Sequence, residues 1–243
     1  MDFFADYHTH TKFSHGKGTV EDNVRAALAK GLKKIAISDH GPALFALGVQ
    51  SPDTFLEIKR EVEKCKKKYP GIDVLTGVEA NVVSLKGELD LPKKILDQLD
   101  LVMVGLHPLT IPLDFKEGGS LLFHYWGGKC SKRLKKKSRI LNTKVLLETV
   151  YKNKVDVITH PGHKMSIDTK ELARACVKTN TALEINAKHS DWQRDFIETA
   201  KRTGVKFVLG SDAHSPAEVG ELEAALRLTE AAGLGPEQVL NVL

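Results

Sequence analysis

Residues 34–40 read KIAISDH, a short apolar and β-branched run that ends in an aspartate and a histidine. Such a run is typical of a buried strand, and the amphipathic stretch that precedes it is typical of a helix. The same alternation continues along the chain in both directions. It predicts seven strands, at residues 3–7, 34–38, 73–78, 101–106, 155–159, 182–185 and 206–210.

Amphipathic stretches separate these strands. They predict helices at residues 20–30, 52–69, 143–152, 169–179, 191–203 and 216–232. Strands that alternate with helices form a parallel sheet with crossover connections. We therefore expect an α/β fold, a parallel barrel in a single domain that spans residues 1–243.

Residues 108–142 interrupt the alternation and show no clear core pattern. A connection of this length is typical of a functional lid or a disordered segment, and Phe123, Tyr125 and Trp126 would suit either a lid or a small local core. Between residues 118 and 147 there are eight Lys or Arg residues and no Asp or Glu. This basic run is either a solvated face or a patch that attracts anions, in which case residues 129–144 could contact nucleic acid.

Composition excludes several other classes of protein. The three cysteines are widely spaced and form no CxxC, which argues against a disulfide framework or a zinc ribbon. The first residues, MDFFADYH, lack the basic start of a secretory signal, and the longest apolar stretch, residues 101–106, is too short to span a bilayer. We expect a cytoplasmic protein without a membrane partner, whose oligomeric state the sequence leaves open.

Histidines fall at one kind of position in this pattern. Six of the ten lie at or just beyond the end of a predicted strand: His8, His10, His40, His107, His160 and His214. In a parallel barrel the loops that follow the strands converge on one face, so these imidazoles become neighbours. Asp39, Glu79 and Asp212 also lie at strand ends, and six of the seven strands supply a residue type that binds metals. Packing alone would require six unrelated coincidences, so the pattern predicts a metal cluster.

Seven motifs occur along the chain in a recognisable order: YHTHTKFSHG, ISDHGP, GVEAN, GLHP, THPG, LEIN and GSDAHS. Together they resemble the motifs of the polymerase and histidinol phosphatase (PHP) family, over almost the whole chain. The resemblance implies a seven-stranded (βα)7 distorted TIM-like barrel with the basic insertion after strand 4. The strand count from the apolar runs agrees with it.

The resemblance also implies a set of metal ligands, because all nine ligand positions of the family hold the expected residue types. It assigns His8, His10, Glu79 and Asp212 to one ion, His15, His40 and His214 to a second, and Glu79, His107 and His160 to a third. Mixed imidazole and carboxylate ligands suit zinc, manganese or iron better than magnesium or calcium. We therefore expect two or three divalent transition-metal ions.

Such a cluster favours phosphoester hydrolysis by a metal-bound hydroxide. The leading hypothesis is a phosphomonoesterase that acts on a small phosphorylated metabolite, similar to the histidinol phosphatases of the family. The alternatives are a phosphodiesterase or exonuclease that acts on nucleic acid, and a non-catalytic binding module. A metal-dependent amidohydrolase also begins with HxH, but it would leave the Asp-His pair after strand 2 and the three-ion ligand set unexplained.

Further residues are candidates for the site. Glu79 and Asp212 are the expected catalytic carboxylates, together with Asp39, which we expect to accept a hydrogen bond from a ligating histidine; its alternative role is to cap the loop that follows it. Asn186 ends strand six and is a candidate for a substrate-binding residue that hydrogen-bonds within the site. Lys164, Lys188 and Arg194 follow strands five and six, and one or more of them could bind the phosphate, although each could equally be a solvated surface cation. His124, His163 and His189 are interpreted as non-ligands.

Overall fold

Seven parallel strands form the centre of the protein in a computed structural model that describes residues 1–113, 131–189 and 193–243. Each strand pairs with the next one along the chain, in the order β1 to β7. The strands are β1 (Ala5–Asp6), β2 (Lys34–Ile37), β3 (Asp73–Asn81), β4 (Leu101–Gly105), β5 (Val157–Ile158), β6 (Ala182–Asn186) and β7 (Phe207–Gly210). The predicted (βα)7 barrel is confirmed.

Helices connect the strands on the outside of the barrel. They are α1 (Val20–Ala29), α2 (Thr54–Lys68), α3 (Lys93–Leu96), α4 (Lys132–Lys152), α5 (Thr169–Thr179), α6 (Gln193–Ala200) and α7 (Glu223–Ala231). Short 3-10 turns follow α6 at Lys201–Thr203 and precede α7 at Pro216–Glu218. The last predicted helix, at residues 216–232, is therefore divided, and Gly220 adopts a positive φ of 72° at the break.

The predicted insertion at residues 108–142 needs correction at its carboxyl end. Helix α4 begins at Lys132, eleven residues before the predicted start, and its Ser131 cap accepts a hydrogen bond from Leu134 N at 3.2 Å. The sequence conceals this helix because several of its buried positions are polar, among them Ser138 and Asn142. Residues 114–130, which include the aromatic residues expected to form a lid or local core, lie outside the described residues.

Apolar side chains pack on both faces of the sheet. The larger cluster lies between strands and helices, where Val102 and Val104 point outward from β4. Alternate residues of the strands point inward, and a smaller cluster fills one end of the barrel: Ala36, Leu101, Met103, Val157, Ala182 and Val208. Since side chains alternate along a strand, the polar residues at the strand ends occupy the other end of the same interior.

Two sets of contacts close the barrel between its first and last strands. At the carboxyl end, His10 N donates to Ala213 O at 2.8 Å and Ala213 N donates to His8 O at 3.1 Å. Closer to the amino ends of the two strands, the buried side chain of Asn241 lies across the seam. Its Nδ2 donates to Ala5 O of β1 at 2.8 Å and Leu209 O of β7 at 2.9 Å, and its Oδ1 accepts from Leu209 N.

Cys65 and Cys176 are buried and unbridged, whereas Cys130 lies outside the described residues. Within the described ranges, every helix is too short or too polar to cross a lipid bilayer.

We predict that Asn241→Leu destabilises the protein, because three buried backbone groups at the seam lose their hydrogen-bond partners. The expected loss is about 2–4 kcal/mol in the free energy of unfolding, measured by urea denaturation. Leu240→Ala is the control, since Leu240 is adjacent in the chain and 52% exposed. Equal stability of Asn241→Leu and the parent protein would show that the side chain does not hold the seam.

Candidate metal centre

Glu79, near the end of β3, lies at the centre of the polar end of the barrel and is completely buried. Its Oε2 lies 3.2 Å from His8 Nε2 and 2.8 Å from His40 Nδ1. Its Oε1 lies 3.2 Å from His107 Nε2 and 2.9 Å from His160 Nε2. Four imidazoles from four different strand ends therefore surround one carboxylate.

Asp212, two residues after β7, supplies a second carboxylate to the same end. Its Oδ1 lies 3.4 Å from His10 Nε2 and 3.7 Å from His8 Nε2. The backbone of Asp212 adopts a φ of 55°, and that of His160 a φ of 26°. Positive φ values are uncommon for residues other than glycine, and such strain is often retained where a side chain must be aimed at a functional site.

Several polar atoms of this cluster are buried without a hydrogen bond of good geometry, although two of them, His40 Nδ1 and Glu79 Oε2, lie 2.8 Å apart. The atoms without such a bond are His8 Nε2, both ring nitrogens of His10, His40 Nδ1, Glu79 Oε2 and His107 Nε2. Leaving a polar atom buried and unpaired costs about 1–3 kcal/mol, so their convergence requires an explanation. Imidazole nitrogens and carboxylate oxygens that point at one another fit divalent transition-metal ions, which bind to the lone pairs of such atoms.

Four sets of three ligand atoms lie within 4.8 Å of one another. The sets are His8, His10 and Asp212; His8, Glu79 and His160; His40, Glu79 and His107; and His10, His40 and His214. They include eight of the nine ligands that the sequence motifs imply. His15 belongs to none of them, although its ring centroid lies 4.2 Å from that of His214 and 5.0 Å from that of His40.

The charges in the cluster favour a bound cation. Burial would raise the pKa of Glu79, but His40, His8 and His107 hold it well below its usual value. Burial and the neighbouring His40 hold the pKa of His10 well below that of a free imidazole. An ionised carboxylate and a neutral imidazole are the forms that bind metal ions.

His8 differs from His10, although both rings are buried. Burial lowers its pKa, yet the carboxylates of Glu184, Glu79 and Asp212 together raise it well above the usual value. The same concentration of negative charge that retains a proton on His8 would attract a metal cation in its place.

A further layer of residues orients the imidazoles. Glu184 Oε1 lies 2.6 Å from His8 Nδ1, and Glu184 Oε2 accepts from His160 N at 2.6 Å. Asn81 Oδ1 lies 2.7 Å from His107 Nδ1. Contacts of this kind determine which ring nitrogen is available to a metal. Asn81 ends the motif GVEAN, and Glu184 lies within the motif LEIN. The signal in the sequence that could have identified them is a polar residue in an otherwise apolar strand.

Two glycines make room for these contacts. A Cβ atom at Gly105, the last residue of β4, would collide with the ring of His107 and with Glu79 Oε1. A Cβ atom at Gly210, the last residue of β7, would collide with Glu184 Oε1. The strand ends therefore require glycine where the backbone approaches the cluster.

The prediction that Asp39 accepts a hydrogen bond from a ligating histidine is wrong. The two oxygens of Asp39 instead accept from Thr11 N and Thr11 Oγ1, both at 2.7 Å, and from the hydroxyl and backbone N of Ser14. Glu184 occupies the role expected of Asp39, because it is the carboxylate that contacts His8. Asp39 secures the turn that leads into His15.

The candidate phosphate-binding residues have different positions. Lys164 lines a cavity beside the cluster, whereas Asn186 is buried and its Nδ2 donates to Glu184 Oε2 at 3.0 Å. Lys188 Nζ donates to Asp212 O at 3.1 Å. Arg194 is exposed on α6 and does not line the cavity. The structure thus brings only Lys164 of these four to the cavity.

The cavity has a volume of about 180 Å³ and lies directly over the cluster. His163 and His189, which belong to none of the four ligand sets, line it with their rings stacked at 3.8 Å between centroids. His124 lies outside the described residues. The cluster therefore has access to solvent through a cavity of small-molecule size.

Comparisons with known proteins agree with this arrangement. A family model described as PHP domain matches residues 6–230. The protein named Probable phosphatase YcdX, from Escherichia coli strain K12, is 32% identical over 249 aligned residues, which cover 98% of this chain and 89% of the relative.

Two solved structures share the fold. Histidinol phosphate phosphatase from Lactococcus lactis, crystallised with zinc, L-histidinol and phosphate, is 19% identical with a TM-score of 0.64, over 95% of this chain and 94% of that one. HisK from Listeria monocytogenes is 16% identical with a TM-score of 0.65, over 89% and 97% of the two chains. At these identities the likeness is one of fold.

We predict that Glu184→Gln weakens metal binding by about 10–100-fold, because the amide cannot accept hydrogen bonds from both His8 and the His160 backbone. Competition with a chelator measures this affinity without reference to activity. Glu223→Gln, on the exposed first turn of α7, is the matched control. Unchanged affinity in Glu184→Gln would mean that His8 is oriented without this carboxylate.

Proposed function

This chain belongs to the PHP domain family, and from this membership and the buried ligand cluster we propose that it hydrolyses small phosphomonoesters. It is a metal-dependent phosphoesterase. The observation that carries the proposal is the convergence of buried imidazole nitrogens, several of them without a hydrogen-bond partner, on the carboxylates of Glu79 and Asp212. No protein nucleophile is required by such a site.

Two or three divalent ions are proposed, with zinc, manganese and iron as the candidates. Glu79 would serve more than one ion, because both its oxygens face imidazoles from different strands. The remaining ligands are proposed to be His8, His10, His15, His40, His107, His160, Asp212 and His214. When bound, such ions acidify water, hold non-bridging phosphate oxygens and neutralise charge on the leaving oxygen.

The protein's own residues position these ligands and the substrate. Glu184 and Asn81 hold the rings of His8 and His107 through their Nδ1 atoms. Lys164, at the cavity wall, supplies a cation within the space where a phosphate would lie. The small, concave cavity favours a metabolite-sized phosphomonoester over a polymer, as does the relative named as a phosphatase.

The proposal predicts a metal content of two or three ions per chain and turnover of phosphomonoesters. Elemental analysis of protein prepared without chelator, followed by a panel of monoesters, diesters and oligonucleotides, tests both. Glu79→Gln and Asp212→Asn should each lose most of the turnover and part of the metal, since each removes an anionic ligand while preserving the side-chain shape. Less than one ion per chain in metal-supplied protein would contradict the proposal.

Hydrolysis of nucleic acid is the second candidate function, and the exposed basic start of α4 favours it. Five cationic side chains lie exposed over its first two turns: Lys132, Arg133, Lys135, Lys136 and Lys137. Farther along the run, Arg139 is paired with Asp168 at 2.7 Å. An exposed cationic helix of this kind contacts phosphates without reading sequence.

We predict that replacing these five residues with glutamine leaves phosphomonoester turnover and oligonucleotide affinity nearly unchanged, because we expect this exposed cationic face to be solvated and not to contact the substrate. A matched control replaces Lys59, Arg60, Lys64, Lys67 and Lys68 of α2, which carry the same number of charges. The measurement is the slope of the logarithm of affinity against the logarithm of salt concentration. A slope that falls by about one unit for each lost contact, in the α4 variant alone, would favour the nuclease instead.

A further inference from the structure

The cavity over the metal centre is lined by polar residues and by apolar residues. The polar residues are mostly imidazoles, and the ligand cluster accounts for several of them, such as His160. The apolar residues, which we call the wall, are Leu44, Leu47, Leu106, Pro108 and Leu109. The ligand cluster does not account for the wall.

The apolar wall is built from two loops that are tied together. The loop after β2 and the loop after β4 pair through their backbones, since Phe45 N donates to Leu109 O at 3.1 Å and Ile111 N donates to Ala43 O at 2.8 Å. An antiparallel bridge joins Leu44 to Thr110 between these two bonds. The wall therefore has a defined backbone, and its position relative to β2 and β4 is set by hydrogen bonds.

The wall continues from the cavity to the surface. Leu44 is only 5% exposed, whereas Leu109 is 51% exposed and Phe45 and Ile111 beside it are exposed as well. Clusters of exposed apolar side chains at the mouth of a cavity are characteristic of ligand-binding surfaces. An apolar group that enters the cavity from this side would remain in contact with carbon atoms along its length.

The charges of the cavity lining also favour an apolar substrate group. Among the described residues that line it, Asp212 is the only carboxylate, and it belongs to the ligand cluster. An amino group on the substrate would therefore meet leucine side chains in place of an acidic partner. At the buried part of the wall, where Leu44 is 5% exposed, such a group would lose its hydration without gaining a partner, so a charged substrate is disfavoured there.

We propose that the wall of Leu44, Leu47, Leu106, Pro108 and Leu109 is the leaving-group subsite and that it takes an uncharged, apolar alcohol moiety. This rests on the proposed phosphomonoesterase function, which places the phosphate at the metal ligands. The substrate class is an alkyl or aryl phosphate. Each methylene group buried against the wall should favour binding about fourfold.

A matched pair of substrates tests the proposal. Pentyl phosphate and 5-aminopentyl phosphate have the same chain length and the same primary alkyl leaving oxygen, but only the second carries a distant positive charge. We expect kcat/KM to be at least about tenfold higher for pentyl phosphate, since the ammonium group finds no carboxylate at the wall. Equal values, or a preference for the amine, would overturn the proposal.

Variants at Leu109 locate the selectivity. Leu109→Asp places a carboxylate on a half-exposed side chain of the wall. It should reduce the preference for pentyl phosphate over 5-aminopentyl phosphate by at least about tenfold. Leu109→Asn should slow hydrolysis of pentyl phosphate without accelerating that of the amine. Leu113→Asp is the control, because Leu113 is 68% exposed and lies outside the cavity lining. An unchanged preference in Leu109→Asp, with normal metal content, would overturn the subsite.

p-Nitrophenyl phosphate separates the two proposals. If the metal-loaded protein hydrolyses it but does not prefer pentyl phosphate over the amine, the subsite is wrong and the phosphomonoesterase function stands. If the protein hydrolyses neither it nor any other phosphomonoester, both proposals fail together.

Discussion

The carboxylate of Glu79 is buried completely, and an ionised carboxylate in that position is stable only where opposite charge compensates it. Its two oxygens face four imidazoles, and its pKa is held well below its usual value despite burial. Protons on the imidazoles or metal cations can provide the compensation. The remaining architecture of this end of the barrel follows from the need to place those groups around one side chain.

The parallel barrel meets this need because the carboxyl ends of all seven strands open on one face. Its other end is filled by apolar side chains such as Met103, so the interior changes from apolar to polar along the strands. Gly105 and Gly210 permit the backbone to approach the cluster. Asp212, with its positive φ, aims a second carboxylate at the same place.

Burial of so many polar groups also depends on residues that do not face the cavity. Glu184 and Asn81 satisfy the second nitrogen of His8 and His107, which would otherwise be a buried group without a partner. Asn241 closes the seam between β1 and β7. His8 and His10 follow β1, and Asp212 follows β7. The geometry of the metal centre is therefore tied to the closure of the barrel.

Much of the fold, and the convergence of most of the expected ligand residues at one end of the barrel, are determined by the sequence alone. The apolar runs and their spacing predict seven strands, and the residues at their ends converge because parallel strands share one carboxyl face. The prediction missed the first eleven residues of helix α4, because polar residues such as Ser138 occupy buried positions there. A hydrophobic pattern cannot reveal a helix whose buried face is partly polar.

Only the tertiary structure decided which side chains meet. Glu184 contacts His8 across 176 residues of chain, and Asp39, the expected partner, contacts Thr11 and Ser14 instead. The apolar wall of the cavity likewise consists of residues from two loops that are distant in sequence. Local sequence patterns specify whether an element is a helix or a strand and which of its faces is buried. Contacts between elements depend on strand register and on individual backbone dihedral angles, which are set by interactions among distant segments.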